Sequence, residues 1–539
     1  MKKKFFKKST FDQLDNYLEK KKEKKFFIFT KFYSAKYKIM RNEILSEYAK
    51  KLNLIHNKNF TTSEWQVIIG PWLDKSLSIY LFYSFFFKTN NFNKFFKNYR
   101  KNYKFEIPKD YNEFLKLVNN REFYPFFISS LKFDDIELQK IKKIKLSTKF
   151  NWKLYFLKFV NYFVKKPVYL SNSRFGNKNL LKLFLFSLFK IIPIPNLHNN
   201  LSIKYLKETS NLRVKFCKSF NKNNKNFHIF KILNTIIPKF YLEYFEDLNL
   251  LGNSILKKPK KIYTDSTYID DELLKIQLAN WKNQKFKKLI IAQHGGNYNL
   301  YKSEHLGTNE NDISDIFINW SSNKKRFLKN LTSIRLNYFY ESNKIYLNSK
   351  KKNQFCFVVR PLRKTNFQSV FMELFLYKKK VKEISYFLKN VNQNLIIKYY
   401  PEFRYPDQLS IQEMSKEFEI AIKKIKTNKD IIFKSKLIIF EYISTMLFEI
   451  LSFNVPFLLV LDEKKHSLSK FGNEFIKDLK KMNLHFSNYN DLKSFLNKGN
   501  DINLWWFEEK RQKKLRNFKR KFSNTNYNYV SDWEKYFLV

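Results

Sequence analysis

A histidine at the end of an apolar run, with two glycines behind it, is the part of this chain best suited to acid–base chemistry. The run is Lys288–Ala292, and Gln293-His294-Gly295-Gly296 follows it. Histidine takes or gives a proton near neutral pH. Glycine lets backbone N–H groups close on a ligand, or adopts a positive φ. The chain has only eight glycines in 539 residues, and Gly295, Gly296 and Gly307 fall within thirteen residues of one another. A tight turn after a strand would use the same residues. Glu304, His305, Glu310, Asp312 and Asp315 follow closely. A carboxylate among them could orient the imidazole or bind an acceptor hydroxyl, and the group also reads as a charged loop. The expected assignment is His294 as catalytic base, with Gln293, Gly295, Gly296, Glu304 and Asp315 binding substrate.

Two further groups suit a phosphorylated ligand. Glu441-Tyr442-Ile443-Ser444-Thr445 carries an apolar run into hydroxyls at a helix start, and Glu449 lies about one turn beyond Thr445. Ser and Thr at that position cap helices. The same hydroxyls, with free N–H groups and the helix dipole, bind anions. Glu449 is an acid inside an otherwise apolar helix and needs a partner, either a ligand ribose or a lysine. Arg360 and Arg363 close another apolar run. Guanidinium forks grip phosphates, though pairing with a carboxylate would also account for them. With Tyr400, which precedes Pro401 at a further strand end, the expected nucleotide-donor set is Arg360, Arg363, Tyr400, Glu441, Ser444, Thr445 and Glu449. No metal-ligand spacing, P-loop, Gly-x-Gly-x-x-Gly or nucleophile-elbow serine occurs, so neither a metal nor a cofactor is expected.

Composition bounds what surrounds these residues. Ala35, Ala49, Ala279, Ala292 and Ala421 are the only alanines, whereas Lys, Asn, Phe, Tyr and Ile abound. That bias follows A/T-rich codons. With 44% hydrophobic and 19% aromatic residues, the chain can bury a sizeable core. The formal net charge of +55 comes mostly from lysine spread end to end. Dedicated nucleic-acid readers lean on arginine, so the charge reads as drift, with attraction to anionic lipid or nucleotide as a by-product and no specific nucleic-acid partner. Cys217 and Cys356 fit no metal or redox spacing and suit a reducing cytoplasm. The basic start lacks the apolar stretch of a signal peptide. Leu180–Pro195 and Leu437–Leu461 are both interrupted by charges and proline, too often for a spanning helix.

Short apolar runs alternating with helical patterns predict an α/β fold with parallel sheets. Strands are expected at Phe26–Thr30, Pro167–Ser171, Lys261–Thr264, Lys288–Ala292 and Ile313–Trp320, with helices at Asn177–Ile191 and Asp270–Gln284. Beyond a Lys-rich linker at Asn348–Asn353, strands are expected at Phe355–Val359, Asn394–Tyr399, Lys436–Phe440 and Phe457–Leu461, with a helix at Ser444–Phe453. Ligands bind beyond the carboxyl ends of such strands, where the unusual residues lie in both halves. The expected architecture is two Rossmann-like domains facing a central cleft, with C-terminal helices. Residues 1–340 form the acceptor side with a helical N-terminal elaboration, 350–500 the nucleotide-donor side, and 501–539 a helical tail able to cross back.

At these residues the chain resembles a family of bacterial surface-polysaccharide transferases from O-antigen and capsule clusters. The family is distantly similar to the two-domain GT-B glycosyltransferases and to CDP-glycerol glycerophosphotransferases. Leu52–His56 with Trp65 and Gly70-Pro71-Trp72-Leu73, Gln293–Gly296 with Ile313-Ser314-Asp315 and Trp320, Glu441–Pro456, and Trp505-Trp506 carry the resemblance. It implies His294 as base, Arg363 at a strand end and Ser444-Thr445 at the donor phosphates. Tyr400-Pro401 stands where those relatives have His-Pro, and Glu441-Tyr442 replaces their acidic residue before a Ser pair. The function implied is metal-independent transfer of a sugar or polyol-phosphate from a nucleotide-activated donor to a surface polysaccharide or lipid-linked glycan. The setting implied is the cytoplasm, with peripheral contact at the inner face of the plasma membrane as an option. A sugar-nucleotide epimerase on the same scaffold and a non-catalytic basic nucleic-acid- or membrane-binding protein are the rival classes.

Overall fold

Apolar runs with no polar alternation become parallel strands, because a strand covered on both faces has no solvent side to pattern. A computed structural model describes residues 23–86, 105–120, 141–149, 151–171, 173–265, 267–284, 288–296, 298–301, 308–321, 331–341, 354–359, 377–390, 395–398, 431–432, 434–466, 468–499 and 501–539, with Phe123, Phe126, Phe127, Ser130, Gln412 and Lys416. The fold is mixed α/β. The ribbon of β1 (Ile141–Thr148) and β4 (Leu201–Ser210) is antiparallel, with lysines on its exposed positions. The first parallel sheet contains β2 (Val168–Ser171), β3 (Ile191–Ile194), β5 (Lys261–Thr264), β6 (Leu289–Ala292) and β7 (Ile316–Ile318), in the order β3-β2-β5-β6-β7. The second contains β8 (Phe355–Val358), β9 (Leu395–Lys398), β10 (Leu437–Phe440), β11 (Phe457–Val460) and β12 (His485–Phe486), in the order β12-β11-β10-β8-β9. Both sheets therefore reverse their direction of growth between the first and third of their strands. Crevices that accept ligands open at such reversals.

Among the described residues three buried clusters hold these layers. One joins the helices Glu23–His56 and Thr62–Phe86 to one face of the first sheet. Another covers the opposite face of that sheet, where Tyr529, Trp533 and Phe537 of the helix Tyr529–Leu538 pack on Val168, Leu170, Tyr263 and Ile290. Trp533 Nε1 donates to Thr332 O at 3.0 Å. The third surrounds the second sheet and takes in Trp506, Leu515, Phe518 and Phe522 from the helices Ile502–Phe507 and Glu509–Phe522. The chain thus leaves the second sheet and returns to cover the first. Among the described residues no helix is long and apolar enough to cross a membrane.

Three expectations are corrected. Phe26–Thr30 is not a strand but part of the helix Glu23–His56. In a chain so rich in Phe and Ile, and with only five alanines, β-propensity loses its power to discriminate. The helix expected to reach Ile191 stops at Phe186, and Ile191 opens β3. Ile313 closes the short helix Thr308–Ile313, and only Ile316–Ile318 is a strand.

Candidate active site

The first sheet delivers His294 two residues beyond the end of β6. Gln293 holds the turn: its N–H donates to Ile318 O, its amide oxygen accepts from Trp320 N at 2.9 Å, and its Nε2 donates to Gly295 O at 2.7 Å. Its carbonyl also accepts from Trp320 Nε1. Gln293 is buried in this turn and serves its shape. The half-buried His294 has Nδ1 at 2.8 Å from the Tyr298 hydroxyl, which donates to Glu310 Oε1 at 3.1 Å. A hydroxyl has one proton. With that proton donated in the hydrogen bond to Glu310, Tyr298 accepts from Nδ1–H, and the lone pair sits on Nε2. Burial pushes the His294 imidazole down to about 4, with Asp265 acting upward and Arg174 and Arg335 downward. The ring is therefore uncharged at neutral pH, with the tautomer a general base needs.

Beside it lies the reversal between β2 and β5. Arg174, just past β2, pairs through Nε with Asp265 Oδ2 just past β5 at 2.5 Å. Ser171 Oγ, Ser173 Oγ and Thr264 Oγ1 are buried at the same strand ends and have no hydrogen-bond partner among the described residues. Arg174 and Asp265 were missed by sequence reasoning, since a single Asp after a short strand carries no pattern. The signal available for Arg174 was the scarcity of arginine.

Asp315 does not join this group. Its carboxylate accepts from Leu289 N at 2.7 Å, and its own N–H donates to Leu289 O. Leu289 opens β6, so Asp315 sits at the opposite end of the strands from His294. The register, which pairs Ile290 with Ile316, fixes it there. The structure therefore does not bring Asp315 to the histidine turn and gives it a strand-end contact instead.

The second sheet meets this turn through a glycine. Neither Gly295 nor Gly296 has a positive φ. A Cβ on Gly296 would stand 2.7 Å from Ser444 O and 2.8 Å from the Phe448 ring, and Gly296 N donates to Thr445 Oγ1 at 3.1 Å. What crowds Gly296 is thus the helix Thr445–Phe453. At Gly295 an added Cβ would find ordinary contacts. Ser444 is the N-cap of that helix, its Oγ accepting from Leu447 N at 3.2 Å. Ser444 and Thr445 accept from backbone N–H groups and keep their own protons for another acceptor. Glu441 is buried at the end of β10. Glu449 is ion-paired with Arg335 rather than with a lysine, and Arg335 Nη1 donates to His294 O at 3.1 Å. Arg335, also missed, thus ties the second sheet's helix to the histidine turn. Lys398 ends β9, its ammonium pKa lowered by burial while Cys356 and Glu449 act upward. Glu304, His305, Gly307, Arg360, Arg363 and Tyr400 lie outside the described residues.

The structure brings together Gln293, His294, Gly295, Gly296, Ser444, Thr445 and Glu449; of the carboxylates that follow His294 it is Glu310 that reaches the imidazole, through Tyr298, and Tyr298 and Arg335 are additions. Such a meeting of a neutral histidine and a helix N-terminus is suited to proton abstraction beside an anionic ligand. Among the described residues no group of His, Cys, Asp and Glu is placed to hold a metal ion. The motif at Gly70-Pro71 lies within the helix Thr62–Phe86, where a Cβ on Gly70 would overlap the Asn309 amide. Its role is packing. A family model described as LIC12162 family transferase matches residues 2–537. No curated protein matches the chain.

Proposed function

Because the chain belongs to the LIC12162 family of transferases, we propose that it moves a sugar or polyol-phosphate from a nucleotide-activated donor to a surface polysaccharide or lipid-linked glycan. In this reading the two parallel sheets are the two Rossmann-like domains of a GT-B-like enzyme, working in the cytoplasm at the inner face of the membrane. One observation carries the reading: the turn that holds His294 is the turn that touches the N-terminus of the helix Thr445–Phe453. Acceptor-side base and donor-side anion site are therefore neighbours.

His294 Nε2 takes the proton of the acceptor hydroxyl as its oxygen attacks the activated carbon or phosphorus. The departing nucleotide gains negative charge. The Ser444 and Thr445 hydroxyls and the first free N–H groups of the helix receive that charge, with Arg360, Arg363 and Tyr400 completing the donor side. Glu310, through Tyr298, holds the imidazole in its working tautomer. Anionic phosphates next to His294 raise its pKa from the low value set by burial toward the neutral range. With Glu449 occupied by Arg335, the ribose falls to Glu441 or to backbone groups.

A thermal-shift screen against CMP, CDP, UDP, GDP and ADP identifies the nucleotide, and nucleotide release from matching sugar or polyol donors measures turnover. His294→Ala should lower turnover about 10²–10⁴-fold, the usual worth of a general base, while nucleotide binding survives. Unchanged turnover in that variant removes His294 from the chemistry. Conversion of a nucleotide sugar with no acceptor present would point to epimerisation instead.

A further inference from the structure

We propose that the β3 edge of the first sheet is a docking surface for an anionic lipid bilayer. The helix Trp152–Phe163 buries Leu154, Leu157 and Val160 and leaves a second apolar stripe bare. Trp152, Tyr155, Phe156, Phe159, Tyr162 and Phe163 are all exposed, Trp152 at 64% and Tyr162 at 78%. Their spacing of three, four, seven, ten and eleven residues from Trp152 places them along one side of the helix. The helix Asn177–Phe186 repeats the pattern. It buries Leu183 and exposes Leu181, Leu185 and Phe186.

The two helices lie on opposite faces of the sheet, since Leu154 and Leu183 belong to the separate clusters on its two sides. They meet around the β3 edge, with Phe156 against Phe184 at 5.8 Å and Phe184 against Phe189 at 4.8 Å. The apolar surface is therefore continuous. Over half of the exposed large hydrophobics among the described residues fall between Trp152 and Phe189. Monomeric soluble proteins rarely leave such a patch bare.

Backbone strain adds a separate observation. Leu188 and Phe189 have φ of 52° and 63°, left-handed values that bulky residues avoid, and Leu188 is 74% exposed. An apolar turn held in a costly conformation and pointed at water suits insertion better than packing.

Charge selects the partner. No aspartate or glutamate occurs between Glu137 and Glu208. Within that stretch Lys153, Lys158, Lys178, Lys182 and Lys190 are exposed among the aromatic residues. Aromatic rings seated at the headgroup level with lysines reaching up to anionic headgroups is the arrangement of an interfacial helix. A protein partner would need an acidic surface along the same length, and a second copy of this basic face would repel it. The helix Asn177–Phe186 starts three residues after Arg174, so the docked edge leads to the carboxyl ends of β2 and β5. Docking rests on these side chains and not on the transfer chemistry proposed above.

The test is co-sedimentation of the full chain with vesicles of phosphatidylcholine alone or with about one third phosphatidylglycerol, the anionic component supplying the surface potential. The variant Phe159→Ser, Phe163→Ser, Phe186→Ser keeps the net charge, and because all three side chains are exposed it should unfold at the wild-type temperature. Wild type should bind the anionic vesicles, and the triple variant should bind at least about tenfold more weakly. Trp152 emission should shift to the blue on binding, a readable change because every other tryptophan is buried or half-buried. His294→Ala should bind vesicles like wild type even where turnover is lost. Equal binding by wild type and the triple variant would overturn the proposal, leaving net charge as the cause. So would wild type that ignores anionic vesicles, or a wild-type dimer in sedimentation velocity that the triple variant abolishes without any vesicle binding.

Discussion

Tyr298 decides which nitrogen of His294 carries the proton, and this can be tested at the scale of one atom. Removing its hydroxyl in Tyr298→Phe leaves Nδ1 without its acceptor and releases the tautomer. Turnover should fall by roughly 10–10²-fold with the KM for donor unchanged, since the residue orients the base and does not touch the donor. A change confined to KM would contradict the assignment. The acid limb of kcat/KM reports the free enzyme and should lie near 4 rather than near 6.5, because the neutral imidazole is the active form and burial lowers its pKa to about 4. His294 was legible in the sequence because a rare residue pair followed a strand. Tyr298 and Asp265 were not, since a tyrosine or aspartate gains a role only when a turn or a neighbouring strand brings its partner close. Asp315 shows the same limit: it lies near His294 along the chain, and the register carries it to the other end of the sheet.

Elements were legible where burial is two-sided. The runs Lys261–Thr264, Phe355–Val358, Leu437–Phe440 and Phe457–Val460 are strands at or within a residue of their expected limits. Ser444 caps the helix it was expected to start. The ribbon of β1 and β4 was not foreseen, because its lysine-rich alternation reads as a charged loop in so basic a chain. Contacts between elements were the hardest to foresee. Glycine at 296 is demanded by the helix Thr445–Phe453, and Gly296→Ala should destabilise by about 1–3 kcal/mol through overpacking against a backbone carbonyl, as read from denaturant midpoints. Gly295→Ala, facing ordinary contacts, should cost less. Arg335→Met would leave the buried Glu449 unpaired. Removing one partner of a buried pair costs about 3–5 kcal/mol, and the partial exposure of Arg335 lowers the expected loss to about 2–3 kcal/mol. Equal stability of Arg335→Met and wild type would show that the pair holds nothing together.

At the scale of the molecule, pH acts through buried histidines distant from the site. His56 packs on Phe245 and Trp65, and burial lowers its pKa to about 4 from 6.5. The unfolded chain therefore binds a proton that the folded chain refuses between these values. The stabilisation is complete above about 6.5 and is lost as pH falls toward 4. Asp271, raised by burial to about 6, acts in the opposite sense, so the contrast with a variant is more informative than the total. The difference in unfolding free energy between wild type and His56→Gln should shift by about 3 kcal/mol between neutral pH and pH 4, at about 1.4 kcal/mol per pKa unit. A constant difference would mean that His56 titrates as it does in water. Composition made a large aromatic core legible, and the spacing of apolar runs made the parallel sheets so. Neither could show which faces the sheets leave open, because the aromatic residues that build the core here also furnish the bare stripe of Trp152–Phe163.

The helix Tyr529–Leu538 seals the first sheet with Tyr529, Trp533 and Phe537. During synthesis, β2, β5 and β6 emerge long before that helix exists. The first half of the protein cannot finish its core while the second half is still being translated, although domains commonly fold in order as they appear. Its apolar face stays open throughout that interval, a natural target for a chaperone. An mRNA cut short after the second sheet would yield a sticky, incomplete product rather than a smaller working one.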